Sequence, residues 1–334
     1  MIKSYLDGRY QKLVLSHSNG IESTWEKIRQ GVPQGSILGP ILLLIHINDL
    51  PNLESPGTKI LLYVDDTSII VHSSNLENFE TKIGNIFGDI NNWFKVNQLT
   101  LNYNKTNYLQ FNTKNSWDCE LKPNYQGNCI KSSSNTKFLG LTINDSLSWR
   151  AHIDQMKSKL NTTCFVIQTI QAIMSLETLR MVYFAYFSYK LQDNFWRGNQ
   201  PYRDKIFKIK KRVIRIITSS RPRNSCRELF KNLGILPLYS QYIYPISIYV
   251  VKNKHSFYTN KQIHSIHTRF KTNLHPPTAN VTKFQKAVHY SAIKIFNNLP
   301  HEIKDLANDI LPFWNALKRF LLTNSFYNSK EYFN

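Results

Sequence analysis

Apolar residues recur along this chain with two different periods, and the periods divide it. Leu76, Phe79, Ile83, Ile86, Ile90 and Phe94 follow one another at three- to four-residue steps. That is the spacing of one helix face. It predicts an amphipathic helix of about five turns, with Asn75 as its cap. Residues 37–50 are apolar nearly all round, which predicts a buried helix. Ser36 stands at its N-cap position, Pro40 falls in the first turn where proline is tolerated, and Pro51 ends it. Shorter runs predict strands at 10–15, 24–28, 60–63, 67–71, 106–111 and 138–143, with the turn dipeptide Asp7-Gly8 opening a hairpin.

After Trp149 the pattern turns helical. Ile153, Met156, Leu160, Ile167 and Ile170 mark one helix, residues 176–191 an aromatic-rich second, and residues 204–218 a third. Gly198 and Pro201 break the chain between the last two. Residues 221–334 lean helical, with breaks at Pro237, Pro245, Pro276-Pro277 and Pro300. The fold class expected is α+β, with a sheet layer and helices on one face followed by helices alone. Three segments follow from this: 1–145, 146–220 and 221–334.

Charge sharpens the division. Residues 1–150 hold 14 basic and 13 acidic side chains, whereas residues 151–334 hold 28 and 9. Nearly all of the net charge of +20 lies in the second part. Such an imbalance points to a polyanionic partner, nucleic acid first, with a solvated basic face as the plain alternative. The cysteines, at 119, 129, 164 and 226, form no CxxC pair, so neither a zinc ribbon nor a disulfide framework is implied. The N-terminus has no apolar signal core, and the apolar runs 41–45 and 181–187 are too short to span a bilayer. The expected setting is intracellular, without a membrane.

Two segments carry chemistry. In Leu61-Leu62-Tyr63-Val64-Asp65-Asp66-Thr67-Ser68-Ile69-Ile70, two adjacent carboxylates sit between apolar strands, at the tip of a predicted hairpin. Neighbouring carboxylates repel unless a cation lies between them. Oxygen ligands at an open tip suit Mg²⁺, which keeps waters and accepts substrate phosphates. An ordinary Asp-Asp turn is the alternative. In Arg29-Gln30-Gly31-Val32-Pro33-Gln34-Gly35-Ser36-Ile37-Leu38-Gly39-Pro40, glycines let backbone approach a ligand and the following helix N-terminus favours phosphate. A tight strand-to-helix turn would use the same residues.

Together the two segments resemble the reverse transcriptases of non-LTR retrotransposons of the jockey-like type. Residues 31–40 are similar to that family's GVPQGSxLGP segment and residues 63–66 to its YxDD hairpin. Leu101-Asn102-Tyr103-Asn104-Lys105-Thr106 resembles its L-N-x-x-K-T segment, and Phe138-Leu139-Gly140 its primer grip. Trp149 with His152-Ile153 resembles the start of the thumb, and Cys226, Leu229-Phe230, residues 235–238, His267-Thr268-Arg269 and residues 296–300 resemble the tail.

The resemblance implies the C-terminal part of an RNA-directed DNA polymerase: downstream palm over 1–145, helical thumb over 146–220 and a basic helical region over 221–334. It implies that Asp65 and Asp66 bind metal, two Mg²⁺ or Mn²⁺ ions in the complete enzyme. Pro33, Gln34 and Gly35 would contact nucleotide or template, and Lys105 would serve the leaving pyrophosphate. The partners implied are an RNA template, a DNA primer and dNTPs, and the site of work nuclear DNA. Val64 replaces the commoner alanine of the hairpin, and His46 a tyrosine. The family's further aspartate, on an earlier palm strand, has no counterpart here. The chain is therefore expected to be truncated and inactive alone, needing an upstream fragment of the same element. The alternative is a non-catalytic nucleic-acid-binding remnant.

On the third thumb helix, Lys205, Lys208, Arg212 and Arg215 fall on one stripe, and Ile206, Ile209, Val213 and Ile216 on another about 100° further round. The basic stripe is expected to grip a nucleic-acid backbone without reading sequence. Nuclear import is a weaker reading of residues 208–215. His255, His264 and His267 are close in sequence but lack a fourth ligand for zinc. Trp149, Trp196 and Trp314 are expected as core anchors.

Overall fold

Helices and two-stranded sheets alternate through the first part of the chain, and helices alone fill the rest. The computed structural model describes residues 2–15, 21–29, 31–33, 35–73, 75–111, 124–125, 128–192, 200–264, 270–280, 282–285 and 287–334. The chain divides into two units, residues 1–108 with 115–132, and residues 109–114 with 133–334.

In the first unit a short helix α1 (Ile2–Leu6) precedes the Asp7-Gly8 turn, after which β1 (Tyr10–Gln11) pairs antiparallel with β2 (Glu26–Lys27). Helix α2 (Leu38–Ile47) leads through a 3-10 turn (Leu50–Leu53) into the antiparallel hairpin β3 (Thr58–Tyr63) and β4 (Asp66–Val71). Helix α3 (Leu76–Val96) follows, its 21 residues slightly longer than the expected length of about five turns. The predicted strand 106–111 shrinks to β5 (Asn107–Tyr108). The hairpin β6 (Asn124–Tyr125) and β7 (Asn128–Cys129) comes next, then β8 (Lys131–Ser132), parallel to β5. The core is small: Leu50, Ile60, Ile86 and Ile90, flanked by Leu53, Leu62, Ile69, Val71, Trp93 and Phe94.

Two expectations change here. A sheet layer does not form, because every sheet among the described residues has two strands. Helix α2 is not buried either, with Ile41 50%, Leu44 48% and Ile45 65% exposed. An all-apolar helix needs partners on every side, and the described residues cover one side only, through Gly39 and Ile47.

The second unit opens with the hairpin β9 (Asn135–Phe138) and β10 (Leu141–Asn144), so the single strand expected at 138–143 bends back at Leu139-Gly140. Helix α4 (Arg150–Ile170) matches its predicted period. Helix α5 (Leu176–Val182) runs through a π-helical turn (Tyr183–Ser188) into α6 (Tyr189–Gln192). Helix α7 (Gln200–Ile217) packs along α4, and α8 (Arg227–Asn232) follows it. These helices share one core, centred on Leu160, Ile167, Tyr183, Phe187, Ile206, Val213 and Phe230, each 0% exposed.

Helix α9 (Leu238–Lys252) starts a second core, and after the short helices α10 (Asn260–Ile263) and α11 (Thr282–Gln285) that core is completed by α12 (Val288–Asn297), α13 (His301–Asp305), α14 (Ile310–Asn324) and α15 (Ser329–Phe333). Pro245 does not break the chain as expected. It lies inside α9. A proline there costs a helix about 3 kcal/mol. Burial of Ile243, Ile246 and Val250 on the same helix outweighs that cost.

Candidate catalytic hairpin and nucleic-acid interface

The β3–β4 register pairs Tyr63 with Asp66, which leaves Val64 and Asp65 as the two-residue loop. Thr58 and Ile60 are buried and alternate with exposed Lys59 and Leu61, so the base of the hairpin is anchored while its tip stands in solvent. Glu54 braces the base, accepting from the Ile60 amide at 2.9 Å and from Lys59 Nζ at 2.8 Å. The Lys59 ammonium, and then the Ile60 amide, hold its carboxyl below the usual range. At the tip Val64 has φ 55°. A β-branched residue in the left-handed region is strained by about 1–3 kcal/mol. Asp65 and Asp66 are both exposed, and no hydrogen bond or ion pair involves either carboxylate among the described residues. Nor do the described residues contain a group of three or more His, Cys, Asp or Glu able to hold a metal.

The glycine-rich loop is held from behind. Arg9 donates through Nη2 to the Gly31 carbonyl at 2.6 Å and through Nε to the Leu6 carbonyl at 3.0 Å. Gly31 and Gly35 take φ 78° and 81°, values that only glycine adopts without strain. The Ser36 amide closes a turn onto the Pro33 carbonyl at 3.2 Å, and Ser36 Oγ accepts from the Gly39 amide at 3.1 Å. The predicted capping side chain is thus in use, although α2 proper begins two residues later. A Cβ on Gly39 would meet Ser36 Oγ at 2.9 Å, so a larger residue there would have to displace that side chain. Pro33 and Gly35 are exposed, and Gln34 lies outside the described residues. Lys105 is exposed on a turn whose amides at Lys105 and Thr106 both donate to the Asn102 carbonyl.

Phe138, Leu139 and Gly140 belong to the second unit. Leu139 (φ 47°) and Gly140 (φ 79°) form the loop of the β9–β10 hairpin, with positive φ at both central residues as in a type I′ turn. The hairpin is tied to α4 by two bonds. The Thr142 amide donates to His152 Nδ1 at 3.3 Å, and Thr142 Oγ1 donates to Gln155 Oε1 at 2.9 Å. An accepting Nδ1 leaves the proton of neutral His152 on Nε2. Burial, and then the charge of Lys159, lower its pKa.

On α7 the two stripes separate as expected. Lys205, Lys208 and Arg212 are exposed and Arg215 is half-buried, while Ile206, Phe207, Ile209, Val213, Ile214 and Ile217 face the core. One residue breaks the pattern. Lys210 is 0% exposed, and its ammonium donates to Gln241 Oε1 and lies 6.0 Å from the centre of the Phe230 ring. Burial pushes its pKa down to about 7. The helix period contains the signal, since residue 210 lies four after Ile206 and three before Val213. A lysine there reads as one more surface charge.

The remaining expectations divide. Trp149 and Trp314 are half-buried against the two cores, while Trp196 lies outside the described residues. His267-Thr268-Arg269, Gly198 and Cys119 also lie outside them. His264 stands beside His275, at 4.9 Å between ring centres, rather than beside His255. Cys164 and Cys226 are free and buried. No helix among the described residues is long and apolar enough to cross a membrane.

Residues 1–143 match the family described as reverse transcriptase (RNA-dependent DNA polymerase). The curated relatives it resembles are RNA-directed DNA polymerases of mobile elements. The RNA-directed DNA polymerase from mobile element jockey of Drosophila funebris is 27% identical over 168 residues, which are 48% of this chain and 18% of that protein. Its counterpart in Drosophila melanogaster is 24% identical over the same length and shares. The probable RNA-directed DNA polymerase from transposon BS of Drosophila melanogaster is 27% identical over 159 residues, 46% of this chain and 17% of that protein. The chain thus spans under a fifth of the length of these curated relatives. No solved structure matches.

Proposed function

We propose that this chain supplies the nucleotide-transfer hairpin and the thumb of a non-LTR retrotransposon reverse transcriptase, which copies RNA into DNA by extending a primer with dNTPs. One observation carries the reading. Within a segment that matches the reverse-transcriptase family, two adjacent carboxylates stand exposed at the tip of an anchored hairpin, without a partner among the described residues. The donor set is all oxygen, which fits Mg²⁺ or Mn²⁺ with waters and phosphates in the other positions. Asp65 and Asp66 would hold the ion, which supplies charge stabilisation at the transferring phosphoryl group. Pro33, Gln34 and Gly35 would present backbone and amide to the incoming nucleotide, and Phe138, Leu139 and Gly140 would hold the primer end. Lys105 would neutralise the leaving pyrophosphate. Lys205, Lys208, Arg212 and Arg215 would bind template–primer phosphates.

Two carboxylates do not make a two-ion cage, so a third carboxylate must join them for turnover. We therefore expect the 334 residues to be inactive alone and active when an upstream segment of the same element is supplied. The experiment is primer extension on an RNA template with Mg²⁺ and dNTPs. The chain alone should match its Asp65→Ala control. The extended protein should incorporate dNTPs, and Asp65→Asn, which keeps shape but removes charge, should lower the rate by orders of magnitude. Full activity of Asp65→Asn would exclude Asp65 as a metal ligand.

A further inference from the structure

The basic stripe of α7 does not end on a flat surface. Where the C-terminal ends of α4 and α7 meet the turn after α7, a cleft of about 420 Å³ opens between them. Its lining includes Gln168 from α4 and Gln171 just after it, Arg212, Arg215 and Ile216 from α7, and Ser219 beyond it. The volume lies in the lower part of the range for small-molecule sites, roughly 300–1,000 Å³, and far exceeds what a bare phosphate fills.

The groups in it are arranged rather than merely present. Arg215 donates through Nε and Nη2 to the Asn224 carbonyl, at 3.1 and 2.9 Å, which fixes its guanidinium against the wall. Arg212 is exposed and has no hydrogen-bond or ion-pair partner among the described residues, so its donor fork is unused. Gln171 donates through Nε2 to Ser219 Oγ at 2.8 Å. That bond leaves the Ser219 hydroxyl proton free to donate and the Gln171 Oε1 free to accept. Ser219 takes φ 51°, turning the chain at the edge of the cleft. Ile216 provides an apolar wall. No Asp or Glu occurs between residues 155 and 176 or between 205 and 227, so nothing acidic from these stretches competes for the arginines.

We infer that this cleft binds one nucleoside 5′-phosphate unit. The phosphate is taken by the Arg212 fork with Arg215, the base lies against Ile216, and its polar edge meets the amides of Gln168 and Gln171. The assignment rests on reading the α7 stripe as a phosphate-binding face, and it adds base contact to what is otherwise a sequence-blind surface. Two arginines alone would suit any anion. An apolar wall beside two amides suits a nucleobase, which has a flat face and donor and acceptor groups on its edge.

The test uses the whole 334-residue chain and calorimetric titration with AMP, GMP, CMP, UMP, inorganic phosphate and uridine. At least one nucleotide should bind tenfold or more tightly than phosphate or uridine. Arg212→Gln should weaken it about tenfold, and Gln168→Ala should change the order among the four nucleotides. Lys261→Gln, an equal charge loss outside the cleft, should change nothing. A 5′-phosphorylated trinucleotide separates the two sources of this ligand. Tighter binding than the mononucleotide, with the same loss in Arg212→Gln, assigns the cleft to a strand, and weaker or equal binding assigns it to free nucleotide.

Phosphate binding as well as every nucleotide would overturn the proposal, as would an unchanged affinity in an Arg212→Gln protein that circular dichroism shows to be folded. The stripe is read separately, from the salt dependence of duplex binding in Lys205→Gln/Lys208→Gln. A flattened slope there without nucleotide binding by the parent chain removes the cleft and leaves the stripe. An unflattened slope with nucleotide binding does the reverse.

Discussion

The two units spend their apolar residues differently. The first unit has four buried residues in its core, and around it Ile37, Ile41, Leu44, Ile45, Tyr63 and Val64 lie open. The second unit has two larger cores, with Tyr183, Phe187, Phe230 and Phe313 each 0% exposed, although other aromatics such as Phe165 and Tyr189 stay open. Yet the family match and the paired carboxylates belong almost wholly to the first. The segment that matches the reverse-transcriptase family and the two larger cores are therefore largely separate parts of this chain. Stability measured on the whole chain reports mainly the second unit, and substitutions in the first should act on activity while hardly moving the main unfolding transition.

The largest effect should come from the second core. Phe313→Ala removes a fully buried ring and should cost about 3–5 kcal/mol, seen as a lower denaturant midpoint. The matching change in the first unit, Ile45→Ala on the exposed side of α2, should stay within about 0.5 kcal/mol. An equally large loss at Ile45 would break the contrast, because it would mean that this side of α2 is covered in solution.

Lys210 offers a subtler break. Its folded pKa is about 7, against about 10.4 unfolded. The folded state therefore disfavours the ammonium, and the penalty is fully present below pH 7. It is relieved as pH rises from about 7 toward 10.4, so stability should rise with pH across that window by an amount on the order of 2–4 kcal/mol. Lys210→Met should raise stability at pH 7 and flatten the dependence. The scan should stop near pH 9.5, since burial raises the pKa of Tyr183 and Tyr239 and stability falls as pH climbs past about 10. A flat profile in the parent chain would show that Lys210 keeps its charge, solvated, in the folded state.

What the sequence made legible follows from the same contrast. Helices α3, α4 and α7 are long and bury one face, so their period shows in the residues themselves. The Tyr63–Asp66 hairpin is legible because both flanks are apolar and only the tip is charged. Helix α2 misleads, since apolar residues state a need for partners and not whether partners are present. Pro245 misleads in the opposite sense, because a local cost is overridden by packing formed with α12 and α14, far away in sequence. The cleft beside Arg212 is not legible at all, as its wall combines side chains from α4 with others from the end of α7.

Val64→Gly tests the first unit by relieving strain. Glycine adopts φ 55° freely, whereas valine is strained there. The gain in hairpin stability should be about 1 kcal/mol after glycine's extra unfolded-state entropy is set against it. It should appear as slower amide exchange at β3 and β4, with the main unfolding transition unmoved. A shift of the main transition would show that the two units unfold together.

The smallest effect concerns the joint between the β9–β10 hairpin and α4, within the well-packed unit. His152 Nδ1 accepts the Thr142 amide, and only the neutral ring can do so. Its folded pKa lies below the usual histidine value because burial opposes the charge, with Lys159 adding to the effect. A depressed histidine pKa means that the unfolded chain takes up its proton first. Stability from this residue is fully present above about pH 6.5 and is lost as pH falls through the folded value. Acidification should therefore loosen the turn at Leu139-Gly140 before it unfolds the helices. Amide exchange at Thr142 should accelerate as pH falls below about 6.5, beyond the intrinsic trend. His152→Gln, which lacks a titrating ring, should remove that acceleration while leaving α4 helical. If Thr142 exchange follows the intrinsic trend throughout, the hairpin is held by the Thr142–Gln155 bond alone.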